Sequence, residues 1–416
     1  MKFLFLSFRR NILPCIFVII AFCLVIFSKS NLSAATNGLT LWATCVVPSL
    51  FPFFVITNLL SHTKVVSFTG RLLDKLMRPL FNVPGIGGFA FVMGLISGYP
   101  VGAKVVSDFR ENGLVTKDEG ERLLAFTNNS GPLFILSSVG IGLFGDAKTG
   151  LLLLCTHVLS CITVGIILGK FSKKSDEDFR NKNNFIASIK SNNIKNSTQI
   201  KTQTKNTVTL KNLGEVLGNS INSSISTILM IGGFVVIFSV IISILNQTHA
   251  LELFSKFLTP ILSLLGFDLD FATPLLSGIL ELTNGVNLVS KINIKAISQN
   301  LILCAFLLGF GGFSVLLQVF SIVAKTDLSM KKYFIGKFMQ GIFASIYTFL
   351  ALKFIPFINL DLVETSSSNV SSIDTLTSAT HAFYSYFYDF GIFVIGVILV
   401  FIVFLLFKRI YEKVFY

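Results

Sequence analysis

LISGYPVGAKVVSDF, Leu95 to Phe109, places two glycines and a proline within five residues and then adds Lys104 and Asp108, inside a chain that is otherwise strongly apolar. Gly98, Pro100 and Gly102 weaken or break a helix, and broken backbone at membrane depth is tolerated only where it is buried in protein or lines a wet cavity. The surrounding composition establishes that depth. Of 416 residues, 52% are hydrophobic and 13% charged, and the mean hydropathy is +0.76, values that describe a polytopic membrane protein. The formal net charge of +13 comes from short Lys and Arg clusters between apolar runs, as membrane topology requires, so nucleic-acid binding is not expected. The six cysteines sit in apolar runs without a CxxC, and the four histidines lie far apart, so no disulfide framework, metal site or cofactor is expected.

Eight runs are long enough to cross a bilayer: 11–28, 39–60, 123–144, 148–169, 216–245, 299–323, 334–356 and 384–407. Two more, 86–104 and 271–290 (FATPLLSGILELTNGVNLVS), are interrupted by Gly, Pro or Asn. The first run could pass for a signal peptide cleaved near Ala35, but its length favours an uncleaved span. The reading divides the chain into an N-terminal transmembrane helix (1–38), a first membrane repeat (39–170), a polar basic linker (171–212), a second repeat (213–356), a polar outer loop (357–383) and a last span with a basic tail (384–416). The N-terminus, Lys64 to Arg78, the linker, Lys325 to Lys337 and the C-terminus all fall on the cytoplasmic side only if the two interrupted runs are re-entrant hairpins entering from opposite faces. Lys291 and Lys295 then lie on the outer side, against the trend.

The halves read as one unit written twice. Pro79 corresponds to Pro260, Gly94 to Gly278, and Ala125–Phe126 to Ala305–Phe306. Each unit has an odd number of full spans, so the repeats are inverted, the pattern of secondary transporters with a substrate site at the repeat interface. The expected fold is therefore an all-α polytopic membrane protein of about eight transmembrane helices and two broken-helix hairpins. The plainer reading is that the glycines only allow close helix packing.

Such hairpins supply backbone donors and acceptors without a cofactor. In the first, Ser97 and Tyr99 offer hydroxyls, Gly98 and Gly102 let backbone approach a ligand, and Lys104 offers charge, unless it merely snorkels to headgroups. Thr127, Asn128, Asn129 and Ser130 put four polar side chains at the start of a span, as a substrate site or a helix cap. In the second half Glu281 stands in an apolar segment with Thr283, Asn284 and Asn287, as a coupling site, a partner for Lys104, or a surface carboxylate if the hairpin is shallow. Gly311, in LLGFGGFSVLLQ, offers bare backbone where the first half has side chains. No nucleophile elbow, HExxH or phosphate loop is present, so no enzyme is expected.

VVPSLFPFFV (Val46 to Val55), LISGYPVGAK, FTNNSGPLFI and LELTNG, in that order, resemble the YlbJ (SpoVV) family of sporulation integral membrane proteins, over about residues 10–356. That family belongs with the nucleoside-recognition gate-domain membrane proteins. The resemblance implies transport of dipicolinic acid, a small anionic aromatic substrate, from the mother cell across the outer forespore membrane during endospore formation. Half-helix N-termini, a lysine and polar Asn and Ser groups suit a flat dianion, and Tyr99 or Phe126 would stack on its ring. A nucleoside or envelope-precursor carrier and a non-transporting scaffold remain alternatives. The expected surroundings are the lipid bilayer, and nothing in the pattern fixes an oligomeric state or a coupling ion.

Overall fold

The computed structural model describes residues 2–61, 63–171, 212–292 and 297–354. These are mostly helical, with no strand among the described residues. The first half runs α1 (Lys2–Ile26), α2 (Ser28–Leu41), a π-helical turn (Trp42–Val46), α3 (Val47–Ser61), α4 (Val65–Phe81), α5 (Gly87–Ser97), α6 (Val101–Glu111), α7 (Lys117–Thr127), a π-helical stretch (Phe134–Leu143) and α8 (Ala147–Lys170). The second runs α9 (Leu213–Gln247), α10 (Ala250–Ser255), α11 (Thr259–Leu264), α12 (Ala272–Leu280), α13 (Leu282–Ser290), α14 (Ile297–Phe310), α15 (Gly312–Val323) and α16 (Lys331–Phe354).

Local chemistry sets several of these ends. Thr116 and Glu119 form a reciprocal capping box that starts α7, and Asp146 accepts from the backbone N–H groups of Lys148 and Thr149 to start α8. In α4, charged Arg71, Asp74, Lys75 and Arg78 alternate with apolar residues at helical spacing, and its buried Met77 and Phe81 face the core.

Both interrupted runs are pairs of short helices packed on one another, α5 with α6 and α12 with α13. The arms meet at glycines. A Cβ on Gly285 would overlap the Gly278 backbone, and a Cβ on Gly94 or on Gly102 would overlap the Thr127 carbonyl oxygen. The tip of the first pair has Gly98 at φ 81°, a conformation that side chains resist.

The structure refines the expected spans. The runs 123–144 and 299–323 are each interrupted, although 298–323 still qualifies as one span by length and composition. The first breaks at Asn128–Gly131 and the second at Gly311, where φ is 84°. Among the described residues, which leave out the expected span 384–407, four helices are long and apolar enough to cross a membrane, Ser298–Val323 with its Gly311 break among them, or six if two sharply bent pairs each count as one. One bent pair is α1 with α2, turned by 99°, so residues 28–41 continue as helix at a sharp angle to the first span. Asn31 holds that bend by donating to the Cys23 carbonyl at 3.0 Å, and Gly38 lets α2 cross α9 against Ser239. The linker from 172 to 211, the loop 357–383 and the span 384–407 lie outside the described residues.

The last helices of the two halves, α8 and α16, pack together at the centre, tied by a 3.0 Å hydrogen bond between Thr348 and Thr156. At one end of the bundle Arg110 donates twice to Asp327, at 2.8 and 3.0 Å, and Lys332 pairs with Asp118 and Glu121. The loop before α7 and the loop before α16 therefore lie at the same end of the bundle.

Candidate substrate site

Each tightly packed pair leaves its tip against a break in a following helix. The α5–α6 arms close on Thr127, where α7 ends, and Gly312, where α15 begins, lies against the Gly278 and Ile279 carbonyls and the Leu282 N–H of the other pair. Four half-helices thus begin near one point: α6, the Phe134–Leu143 stretch, α13 and α15.

A cavity of about 800 Å³ opens there. Its wall includes Gly98 and Tyr99 before α6, Gly131 and Phe134 at the second start, Glu281, Thr283 and Asn284 at the third, and Ser314 and Val315 at the fourth. On the other side it is lined from α2 and α9, including Asn37, Ser239, Ser243 and Asn246. The first N–H groups of a helix have no partner within it and carry partial positive charge, so four such ends around one cavity make a donor-rich wall. One end is already occupied. The Glu281 carboxylate, 4% exposed, accepts from Thr283 N–H at 3.1 Å and Asn284 N–H at 2.8 Å. Beside it, the Ser277 hydroxyl and the Gln318 carbonyl oxygen are buried on the same wall without hydrogen-bond partners. A buried polar atom left unpaired costs about 1–3 kcal/mol, which a polar ligand would relieve.

Of the residues singled out in the sequence, Gly98, Tyr99, Glu281, Thr283, Asn284 and Asn287 line this cavity. Ser97, Gly102, Thr127, Asn128, Asn129, Ser130 and Gly311 stand behind it. Ser97 shares a 3.1 Å hydrogen bond with Thr57, and Gly102 and Gly311 shape the tip and the break. Lys104 is elsewhere. It lines a separate crevice with Phe54, Asn58 and Asp108, and its ammonium lies 3.2 Å from Asp108 rather than near Glu281. No lysine, arginine or histidine lines the large cavity among the described residues.

Behind the Asn128–Gly131 break lies a buried polar hub that the sequence reading did not assemble. Asn128 donates to the Tyr333 hydroxyl at 2.8 Å, Gln340 donates to Asn129 Oδ1 at 2.9 Å, and the Ser130 N–H donates to His157 Nε2 at 3.2 Å. Lys337, 2% exposed, donates to the Asn128 carbonyl at 2.9 Å and to Gln340 Oε1 at 2.6 Å. The Tyr99 hydroxyl reaches the Ser130 side chain, which connects the hub to the cavity wall. Lys337 is a correction. Next to Lys331 and Lys332 it reads as part of a basic cytoplasmic loop, yet it is well inside α16. The available signal was spacing: Tyr333, Lys337 and Gln340 fall on one face of a helix at i, i+4 and i+7.

The family model described as Gate, nucleoside recognition, matches residues 43–173 and 228–326, together more than half of the chain. The sporulation integral membrane protein YlbJ of Bacillus subtilis (strain 168) is 37% identical over 325 residues, which cover 78% of this chain and 78% of that one. The chain belongs to the YlbJ family of gate-domain membrane proteins. No solved structure matches it. Each of the two gate segments carries one packed helix pair and one broken helix, so the cavity is bounded by parts that this gate-domain protein holds in both segments.

Proposed function

We propose that this YlbJ-family chain is a dipicolinate transporter of endospore formation, moving the acid from the mother cell across the outer forespore membrane, with N- and C-termini in the cytoplasm. The two gate segments are read as inverted repeats whose helix pairs are re-entrant hairpins, and the substrate as held between their tips. The observation that carries this is the cavity of about 800 Å³ at which four half-helices begin. A small dicarboxylate finds there the starts of half-helices, which favour anions, and the rings of Tyr99 and Phe134 for its aromatic face. Cavities of this size and mixed polarity suit small ligands. Glu281 shares the wall, so a proton or cation entering with the dianion would offset its charge.

A second reading is supported by the absence of a basic side chain from the wall among the described residues and by the family model's description: an uncharged polar solute such as a nucleoside. Uptake of labelled dipicolinate and of a labelled nucleoside, each with the other in excess, separates the two, because a dipicolinate carrier takes up only the first and a nucleoside carrier only the second.

The direct test measures dipicolinate separately in mother cells and forespores of sporulating cells that lack the protein or carry wild type, E281Q, Y99F or K104Q at matched membrane levels. The proposal expects mother-cell accumulation without the protein, rescue by wild type and by K104Q, and poor rescue by E281Q and Y99F. Normal forespore loading in the deletion strain would remove dipicolinate as the substrate.

A further inference from the structure

The cation in the hub has no carboxylate partner among the described residues, because Lys337 takes part in none of the ion pairs present. What faces it instead is the C-terminal end of α7. Its ammonium is held by the Asn128 carbonyl, in the residue that caps α7, and by Gln340 Oε1 from its own helix. The groups around it are neutral and come from each packed element: Asn128 and Asn129 from the break, His157 and Cys161 from α8, and Tyr333 and Gln340 from α16. His157 accepts the Ser130 N–H through Nε2, so that nitrogen carries no proton. Two more oxygens at the same break, Thr127 Oγ1 and Asn128 Oδ1, are buried without hydrogen-bond partners.

Helix C-termini carry partial negative charge, and in carriers with discontinuous helices the unwound carbonyls and half-helix C-termini are where a coupling Na⁺ or H⁺ binds. Here that place is filled by a side chain. We propose that Lys337 is a tethered cation: its ammonium occupies the site at the end of α7 where an ion-coupled carrier would bind sodium, so this protein holds its helix break, and works, without Na⁺. Lys337 is thus a positioning residue. It acts through Asn128 and the Ser130–Tyr99 link on the cavity wall and does not touch the solute.

The inference rests on the break itself and not on which solute enters the cavity, so its test needs no substrate. Purified full-length wild type, K337M and K337A are unfolded thermally in detergent, in chloride salts of sodium, methylammonium or choline at equal ionic strength. Wild type is expected to unfold at the same temperature in all three, and K337M several degrees lower. K337A, with the ammonium gone and its oxygen ligands left in place, is expected to regain several degrees in sodium or methylammonium but not in choline, since a cation that binds only the folded state stabilises it. A merely structural lysine would give no such rescue. A wild type stabilised by sodium over choline, a K337M as stable as wild type, or a K337A that responds to neither small cation would each overturn the proposal. Should K337A fail to accumulate, K337S, which also removes the ammonium and leaves its oxygen ligands in place, is tested in the same three salts: recovery in sodium or methylammonium but not choline upholds the proposal, and no recovery overturns it.

Discussion

Glu281 lines the cavity and also caps α13, so its two roles need separating. Replacing it by glutamine keeps the shape but puts an amide N–H₂ where a carboxylate oxygen accepts from Thr283 or Asn284. Charge-assisted hydrogen bonds contribute about 1.5–3 kcal/mol each, so E281Q is expected to lower the unfolding temperature as well as uptake. E281D serves as the comparison: a carboxylate that still caps but has withdrawn from the wall should recover stability more than uptake. If E281Q leaves uptake of labelled dipicolinate by membrane vesicles unchanged, the carboxylate has no part in transport. Asp327 shows the opposite, solvent-facing case. Hydrogen bonds from Arg110 hold its carboxyl below the ordinary carboxylate range. Its contribution is therefore present above the usual aspartate pKa and is lost as the pH falls through the lowered folded value. Because the pair is exposed, D327N is expected to cost no more than about 1 kcal/mol at neutral pH, read as a small change in unfolding temperature that fades on acidification.

Among the elements, the packed pairs are where sequence dictates form most tightly. Gly278 and Gly285 bring α12 and α13 into backbone contact, and no side chain can shift to make room for a methyl group there. G285A should destabilise by about 1–3 kcal/mol, the usual cost of overpacking, and open the pair. Gly218 in α9 is the control, since nothing lies within 4 Å of a Cβ placed on it. There alanine is expected to be neutral or to stabilise the helix by about 0.5–1 kcal/mol. Thermal unfolding of both purified variants checks the contrast, and equal effects would mean that the glycine crossing is not what holds the pair closed.

For the molecule as a whole, the carrier reading makes the membrane-embedded halves sufficient. Replacing residues 172–211 by a Gly/Ser segment of equal length is then expected to leave forespore dipicolinate at wild-type levels. A scaffold docking through that linker would lose function instead, while tolerating E281Q. Dipicolinate assays on the two strains decide between them.

Hydropathy alone established a polytopic helical membrane protein, because the cost of unsatisfied backbone in lipid leaves so few alternatives. The Gly and Pro of residues 95–109, and the Gly, Pro and Asn of 271–290, marked both broken pairs, since these residues have few other uses at that depth. Two breaks were marked as site candidates but read as parts of full spans. FTNNSGP and GFGG sit inside runs apolar enough to read as continuous spans, and whether a glycine or an asparagine bends such a run depends on what packs against it. Here that is the tip of a packed pair. Only the tertiary structure set Lys104 against Asp108 outside the cavity and drew Lys337 inward to the end of α7. Charge spacing along a chain does not reveal which lysine will meet unpaired carbonyls supplied from some two hundred residues away.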